Sequence, residues 1–132
     1  MRVPRRFVLL LGLLACAGCG KKSTPQLLDD LKEGNERDRI VAVRLLPDRK
    51  GDAAQVVPAL IAALKDKDGD VRRSAAIALG YFGEQASAAI PALQEAEHDR
   101  DARVRESAGI ALSRIDPARF PNASGAAPAP GK

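Results

Sequence analysis

The sequence predicts an all-α protein built as a short stack of about three similar helix pairs. Two observations support this prediction: a pattern that recurs every 33 residues, and an apolar content carried by Ala, Leu, Val and Ile with only 3% aromatic residues. Such a composition suits close-packed helices better than a β-sandwich, which is richer in aromatic side chains. The 132 residues correspond to a single domain.

The repeat is visible because particular residues return at one constant spacing. Between 58–81 and 91–114, 13 of 24 positions are identical without a gap, whereas 25–48 shares only 7 positions with 58–81. A fixed period over three copies indicates a repeat architecture, and the divergent first copy indicates a terminal unit. The recurring positions are Pro25, Pro58 and Pro91; Leu27, Leu60 and Leu93; Arg39, Arg72 and Arg105; Ala42, Ala75 and Ala108; and Leu46, Leu79 and Leu112.

The second copy shows how each unit forms two helices. Apolar residues at i, i+3, i+4 and i+7 from Val57 predict the first helix, with Asp52 and Gln55 as its capping box and Pro58 kinking it. Asp68 is predicted to cap the second helix. The predicted buried stripe of that second helix consists of Val71, Ala75, Ala78 and Leu79.

The other helix limits follow from glycine, proline and polar turns. Gly80 and Gly83 are predicted to end the second helix of the second copy, and the third copy is predicted to run from about 85 to 115. In the first copy we expect helices over 25–33 and 36–46, the latter stopped by Pro47.

These residues, in this order, resemble the HEAT repeat family and within it the short bacterial repeats of phycobilisome-lyase type. The shared pattern is Pro-x-Leu, Leu-x-Asp-x-Asp, Val-Arg and Ala-x-x-Ala-Leu, and it covers about 25–115. The resemblance implies a short right-handed α-solenoid of about three HEAT-like helix pairs, with units 25–57, 58–90 and 91–115 by period. Stacking is needed because one Ala-rich helix pair buries too little apolar surface to fold alone.

The resemblance also implies a structural ladder of hydrogen bonds between repeats rather than a binding role for the recurring acidic and basic residues. The sequence departs from the pattern at Glu97, where an apolar residue is expected, and at Glu33, Asn35 and Asp38 in the first copy. These departures indicate that both ends of the stack are solvated. The predicted ladder residues are Asp66, Asp68, Arg72, Asp99, Asp101 and Arg105.

The N-terminal residues have the pattern of an export signal. A basic stretch over 1–6 is followed by an apolar stretch over 7–15, as in a secretory signal peptide assigned here to 1–15. The uncharged run over 7–20 has 14 residues, so a transmembrane anchor is the weaker interpretation.

Leu13-Leu14-Ala15-Cys16 resembles the bacterial lipobox, in which the cysteine is lipidated and becomes the new N-terminus. Cys19 is the alternative lipidation site, and two inert residues in a discarded leader are the remaining interpretation. The sequence thus predicts a lipidated cysteine and linker over 16–24. We expect export and lipid anchoring to the cell envelope, on the periplasmic side of the inner or outer membrane.

Composition argues against several classes of function. Without Arg2, Arg5 and Arg6 of the leader, the 21 basic residues fall to 18 against 17 acidic ones, so no nucleic-acid partner is predicted. The one histidine, His98, lies in a polar turn, and neither a zinc-ligand pattern nor a phosphate-binding loop is present. We therefore predict no catalytic residue, no metal and no cofactor.

The expected function is a membrane-anchored scaffold for protein–protein interaction, without catalysis, binding an unidentified envelope protein as a monomer. The alternative is an accessory factor, a lyase- or chaperone-like helper for a tetrapyrrole-carrying or other envelope enzyme, suggested by the family resemblance alone. A tail over 116–132, rich in Pro, Ala and Gly, is expected to be disordered. The candidate binding surface on the second helices consists of Arg44, Arg73, Ile77, Glu106, Ile110 and Arg114.

Overall fold

A computed structural model describes residues 20–121, and in that range it contains helices and no strand. The six α-helices are α1 (Thr24–Glu33), α2 (Glu36–Leu45), α3 (Ala53–Ala63), α4 (Gly69–Phe82), α5 (Ile90–Ala96) and α6 (Ala102–Ile115). Short 3₁₀ helices cover Leu46–Asp48, Lys50–Asp52 and Gly83–Ala89. No helix in this part of the chain combines the length and apolar character needed to cross a membrane.

The helices pack as three pairs stacked in two layers. Helices α1 and α2, α3 and α4, and α5 and α6 contact each other within their pairs. Between pairs, α4 contacts both α2 and α6, while α3 contacts α1 and the Gly83–Ala89 helix. The predicted all-α solenoid of three helix pairs is therefore confirmed.

The core consists of the residues that recur with the 33-residue period. Leu27, Leu60 and Leu93 of the first helices are completely buried in the apolar core. The predicted stripe of α4 is also buried, with no residue of it more than 1% exposed. One continuous apolar cluster runs through all three pairs and includes Ala42, Ala75 and Ala108, as well as Leu46, Leu79 and Leu112. The three pairs thus share one elongated core.

The helix starts are set by side-chain caps, and one of them differs from the prediction. Asp68 caps α4 as predicted, accepting hydrogen bonds from the backbone N–H groups of Asp70 and Val71. Asp52 makes no capping hydrogen bond. Its carboxylate instead accepts a hydrogen bond from the Thr24 hydroxyl, 2.5 Å away, which ties the start of α1 to the start of α3. The prediction of a capping box at Asp52 was wrong because this longer-range partner competes for the carboxylate.

The capping box lies at the start of α1 instead. Ser23 accepts from the Gln26 backbone N–H, and the Gln26 side chain accepts from the Ser23 backbone N–H at 2.8 Å. Helix α1 therefore begins at Thr24, inside the predicted linker over 16–24.

The proline that starts each period lies at a helix start in the first and third copies and inside a helix in the second. Pro58 lies inside α3, as predicted, whereas Pro91 lies in the first turn of α5. The chain before Pro91 is broken into a 3₁₀ helix with Ala86 in a non-helical conformation. The limits at 57/58 and 90/91 therefore fall within helical segments, because the period counts from an internal proline.

The predicted disordered tail begins too early. Asp116 accepts a hydrogen bond from the Phe120 backbone N–H at 3.0 Å, and the Phe120 side chain packs against the core. Residues 116–121 are held by this turn and this apolar contact. The signal peptide, Cys16, Cys19 and the rest of the tail, 122–132, lie outside the described residues.

Candidate protein-interaction surface

The second helices, α2, α4 and α6, form one face of the stack, and a groove on this face lies between α4 and α6. The groove has a volume of about 280 Å³. It brings together five of the six residues predicted for the binding surface. Its lining residues are Arg73, Ile77, Gly80, Tyr81, Arg103, Glu106, Ser107, Ile110, Ala111 and Arg114.

The groove has an aliphatic floor because α4 and α6 approach each other closely at Gly80. A Cβ atom added at Gly80 would lie 3.2 Å from the Ala111 Cα atom, so a larger residue would force the helices apart. Ile77 and Ile110 are partly buried on either side of this contact. The floor is therefore rigid and apolar, in a groove that stays open to solvent.

Tyr81 and Arg114 form the most exposed aromatic contact of the groove. The Tyr81 side chain is 54% exposed, and the Arg114 guanidinium carbon lies 5.3 Å from the centre of its ring. A cation over an aromatic face is attracted by the electron density of the ring. This contact holds two long side chains at one edge of the groove in a defined arrangement.

The positive charge of the groove comes from two arginines that have no acidic partner in the described part of the chain. Arg103 is neutralised, because it lies 3.1 Å from Asp70 and 3.0 Å from Asp101. Its hydrogen bond with Asp101 raises the pKa of Arg103 above its usual value. Within residues 20–121, Arg73 and Arg114 make no ion pair, and Glu106 is the single acidic residue of the lining.

Arg44, the sixth predicted residue, does not belong to this groove. It lies on α2 in a shallow depression with Arg37, Ile40 and Val41. Val41 and Leu45 on the same helix are 43% and 42% exposed. The predicted surface is therefore divided between two separate places on the second helices.

A second concave region lies between the first helices α1 and α3. It is lined mainly by Leu28, Leu31, Ala59 and Ala62, with a volume of about 470 Å³. Its buried carboxylate, Asp66, already accepts two hydrogen bonds from Arg39. Binding sites usually combine an apolar surface with polar groups that orient the ligand, and the α4–α6 groove offers more such groups.

The predicted ladder between repeats is present in two rungs. Arg72 donates from Nε and Nη2 to the two carboxylate oxygens of Asp99, at 2.8 and 3.0 Å. Arg39 holds Asp66 in the same way, at 2.8 and 3.1 Å. Each pair joins one helix pair to the next, so these residues hold the stack together.

The hydrogen bonds of the second rung shift the pKa values of both of its partners, Arg72 and Asp99. The side chains of Arg72 and Asp99 are only 7% and 12% exposed. The hydrogen bonds from Arg72 lower the pKa of Asp99, and those same bonds raise the pKa of Arg72. Both groups are therefore charged over the whole physiological range of pH.

A family model described as HEAT repeats matches residues 24–115, which is well over half of the chain. This chain belongs to the HEAT repeat family. No curated protein matches the sequence. Membership in the HEAT repeat family indicates a scaffold for protein interaction.

Three of the predicted ladder residues make other contacts than the predicted hydrogen bonds between repeats. Asp68 and Asp101 cap α4 and α6 instead of pairing with an arginine of the neighbouring repeat. Among the residues that the structure describes, Arg105 bonds only to backbone carbonyls of its own repeat, those of Asp99 and Arg100. The chain continues past α6 without a further Asp-bearing repeat in the described range, so Arg105 has no equivalent of Asp99 there.

Sequence reasoning missed several residues of the HEAT stack that the structure makes prominent. Arg39 forms the first rung of the ladder, and its alignment with Arg72 and Arg105 was the available signal. Tyr81 and Arg103 line the groove, and each lies one helical turn from a predicted groove residue. Exposure of Tyr81 could not be predicted, since an aromatic residue near a helix end is as compatible with a core position.

The described residues of the HEAT repeats contain no cluster of His, Cys, Asp and Glu suited to a metal ion. His98 is exposed, and its Nδ1 atom lies 3.3 Å from the Gln94 carbonyl oxygen. This contact places the ring against the C-terminal end of α5, which precedes it.

Proposed function

We propose that this chain is an exported, lipid-anchored scaffold that binds an envelope protein through the α4–α6 groove, without catalysing a reaction. The observation that carries the binding site is the exposed Tyr81 ring beneath Arg114, at the edge of a groove that also contains Arg73, which makes no ion pair within residues 20–121. Tyrosine and arginine are the residue types that contribute most often to the affinity of protein interfaces.

The lining predicts the chemistry of the bound segment. Ile77 and Ile110 offer an apolar floor, and Arg73 and Arg114 offer two guanidinium groups that lack an acidic partner in the described part of the chain. A segment with aliphatic or aromatic side chains beside an Asp or Glu residue complements both features. We therefore expect a short amphipathic, acidic segment of the partner in the groove.

Lipid anchoring is supported by the sequence around Cys16. Only seven residues, 17–23, separate this cysteine from Thr24, the first residue of α1. An extended chain spans at most about 3.5 Å per residue, so the first residue of α1 would lie within about 28 Å of the anchor. A scaffold held so close to a membrane meets partners that share that membrane surface, where a modest affinity suffices.

Palmitate labelling tests the anchor. We expect the wild-type chain to incorporate labelled palmitate, and Cys16→Ala to abolish the incorporation while Cys19→Ala retains it. The reverse pattern would move the lipidation site to Cys19. Labelling that survives both single substitutions and the double substitution would refute the lipoprotein proposal.

Site-specific photo-crosslinking in intact cells tests the groove. A photoreactive residue at position 81 or 110 is expected to give one reproducible adduct with an envelope protein, whereas the same residue at the exposed position 84, outside the groove, gives none. Charge reversal at Arg73 and Arg114 should reduce the adduct formed at position 110, while Arg119→Glu, an exposed arginine elsewhere, should leave it unchanged. Equal adducts at positions 84 and 110 would contradict a groove-specific interaction.

A spectroscopic titration separates this scaffold from the helper role suggested by the likeness to phycobilisome-lyase-type repeats. For a scaffold we expect the absorbance spectra of a bilin and of haem to be unchanged by the purified protein. A saturable shift of either spectrum would favour the tetrapyrrole helper.

A further inference from the structure

The two complete rungs of the ladder show one repeated way of binding a carboxylate. In each rung the arginine uses Nη1 to bond carbonyl oxygens of the turn in its own repeat: Arg39 to Gly34 at 3.1 Å, and Arg72 to Asp66 at 2.9 Å. The other edge of the guanidinium group, Nε and Nη2, then points to the next repeat and holds an Asp there with two hydrogen bonds. The turn therefore orients the arginine for a carboxylate from outside its own repeat.

Arg105 makes the hydrogen bonds to the turn of its own repeat, but within residues 20–121 it has no Asp of a following repeat to bind. Its Nη1 atom bonds the Asp99 carbonyl oxygen at 2.9 Å and reaches the Arg100 carbonyl oxygen at 3.4 Å, as in the other rungs. Within residues 20–121, no carboxylate contacts its Nε and Nη2 atoms. Arg105 is exposed, whereas Arg39 and Arg72 are only 8% and 6% exposed. The guanidinium edge that holds Asp66 and Asp99 elsewhere is thus oriented toward solvent at the end of the stack.

The molecule itself shows which chemical group fits this edge. Asp66 and Asp99 each also accept a hydrogen bond from the backbone N–H two residues later, at 2.9 and 2.8 Å. The residue at that later position is an Asp that caps the following helix. The matching ligand is therefore an Asp-x-Asp turn at the start of a helix.

We propose that the α5–α6 end of the stack is a second docking site, at which Arg105 binds the first carboxylate of an Asp-x-Asp turn in another protein. The bound turn takes the place that Asp66 and Asp99 occupy inside the stack. This site is distinct from the α4–α6 groove and does not depend on the function proposed for that groove.

The charges and polarity at the two ends of the stack indicate that the ligand of Arg105 belongs to a different protein and not to a second copy of this chain. At the start of the stack the positions equivalent to Asp66 and Asp68 are Glu33 and Asn35. Stacking a copy head to tail would also bring Arg37 to Arg103, in the register in which Arg103 now meets Asp70 at 3.1 Å. Arg37 of the second copy would thus meet an arginine at the position where Arg103 meets the carboxylate of Asp70, so the junction between copies would lack this ion pair.

The end of the stack also lacks the apolar surface that a complete further repeat would need. Leu64 is 5% exposed in the second unit, and its equivalent in the third unit is the exposed Glu97. A polar turn requires less apolar contact than a whole repeat does, and a two-hydrogen-bond arginine–carboxylate pair supplies both affinity and orientation.

A peptide titration of the full chain in detergent micelles tests the site. The probe is a capped synthetic peptide with the sequence of residues 64–76, which contains the Asp66–Asp68 turn, and its matched control replaces Asp66 with Asn. We expect saturable binding that shifts the side-chain Nε–H resonance of Arg105 in a ¹⁵N spectrum. The control peptide is expected to bind about tenfold more weakly, since it loses the charge-assisted pair.

Variants of the protein make the test specific to the guanidinium edge. Arg105→Gln should weaken the peptide about tenfold, and Arg105→Lys, which keeps the charge but not the two-pronged geometry, should weaken it as well. Arg119→Gln, an exposed arginine on the last turn, serves as the matched control and should bind normally. If Arg105→Gln fails to fold, Arg105→Lys alone decides.

Three results would overturn the proposal. One is the absence of saturable binding, and another is equal affinity of the wild type and the Arg105 variants. The third is self-association of the chain that Arg105→Lys abolishes, since this would identify a second copy as the occupant of the site.

Discussion

At the scale of single residues, the arginine–aspartate rungs illustrate when a buried ion pair can be tolerated. Removing two charges from water is costly, and the pair offsets this cost only if its geometry is good and the remaining polar atoms are bonded. Arg72 meets both conditions, because two of its nitrogens bond Asp99 and the third bonds backbone carbonyls. The rung therefore also fixes the register, since Asp99 is the carboxylate that lies within its reach.

The first prediction concerns the removal of one partner of this rung. Arg72→Gln leaves the Asp99 carboxylate buried without its cation, so we expect the free energy of unfolding to fall by about 3 kcal/mol. Urea denaturation followed by circular dichroism measures the change. Arg103→Gln, which removes the two exposed ion pairs with Asp70 and Asp101, is the matched control and should change stability little. Similar losses for the two variants would show that burial does not matter here.

The second prediction follows from the lowered pKa of Asp99. In the unfolded chain this carboxyl takes up its proton near its ordinary pKa of 3.8, whereas the folded protein holds the pKa lower because Arg72 donates hydrogen bonds to it. The unfolded state therefore binds more protons, so the rung stabilises the fold fully above about pH 4 and this contribution is lost as the pH falls further. We expect a weaker decline of stability between pH 4 and pH 2 in Arg72→Gln than in the wild type.

Urea midpoints at a series of pH values measure this difference. The pKa of Asp101 is also lowered, chiefly by hydrogen bonding to Arg103 and to a lesser degree by the charge of Arg72. Loss of Arg72 therefore weakens the acid response of both carboxyls in the same direction. Identical acid slopes in the wild type and in Arg72→Gln would contradict the assignment.

The sequence predicts the recurring residues well. It predicts the contacts of each of these residues much less well. The cap formed by Asp68 was predictable, because its hydrogen bonds lie within three residues along the chain. The bond from Thr24 to Asp52 was not, since it joins residues 28 positions apart in a divergent first copy. A hydrogen bond between residues that are close in sequence can be predicted from the sequence alone. A contact between repeats can be predicted only when the way the repeats stack is known.

At the scale of elements, the end of α4 is set by the backbone conformation of the glycine that follows it. Helix α4 ends at Phe82, and the next residue, Gly83, adopts φ +55° and ψ −134°. A residue with a Cβ atom is strained in this region because the Cβ atom crowds the backbone. The sequence predicted that Gly80 and Gly83 end this helix. Gly83 does follow its last residue, as glycine usually does beyond a helix C-terminus, whereas Gly80 lies inside α4. The break before Pro91 was not predictable from a period that treats Pro58 and Pro91 as equivalent.

The third prediction tests the end of α4. Gly83→Ala is expected to lower the free energy of unfolding by about 1–2 kcal/mol, because the alanine must adopt a positive φ. Thermal and urea unfolding measure the loss. The matched control is Gly51→Ala, at an exposed glycine where an added Cβ atom meets no atom within 4 Å, and its stability should stay close to that of the wild type. A loss of equal size in both variants would indicate a general effect of replacing glycine.

At the scale of the whole molecule, the shared core makes the middle helix pair a support for both ends. Helix α4 contacts α2 on one side and α6 on the other, while α2 and α6 each have one such neighbour within the described chain. In repeat stacks the contacts between neighbouring units often supply the stability that a single unit lacks. A destabilising substitution in the middle helix pair should therefore destabilise both neighbouring pairs. A destabilising substitution in a terminal pair should have little effect on the pair at the other end.

The fourth prediction uses this asymmetry. Leu79 in α4 and Leu27 in α1 are both completely buried, so replacement of either with Ala should remove about 3 kcal/mol from the unit that contains it. For Leu79→Ala we expect hydrogen exchange to become faster in α1, α2 and α6 together with α4. For Leu27→Ala we expect the loss of protection to be largest in α1 and α2 and smallest in α6. Unchanged protection of the two ends in Leu79→Ala would mean that each helix pair is stable by itself, and the single elongated core would then not be what holds the stack together.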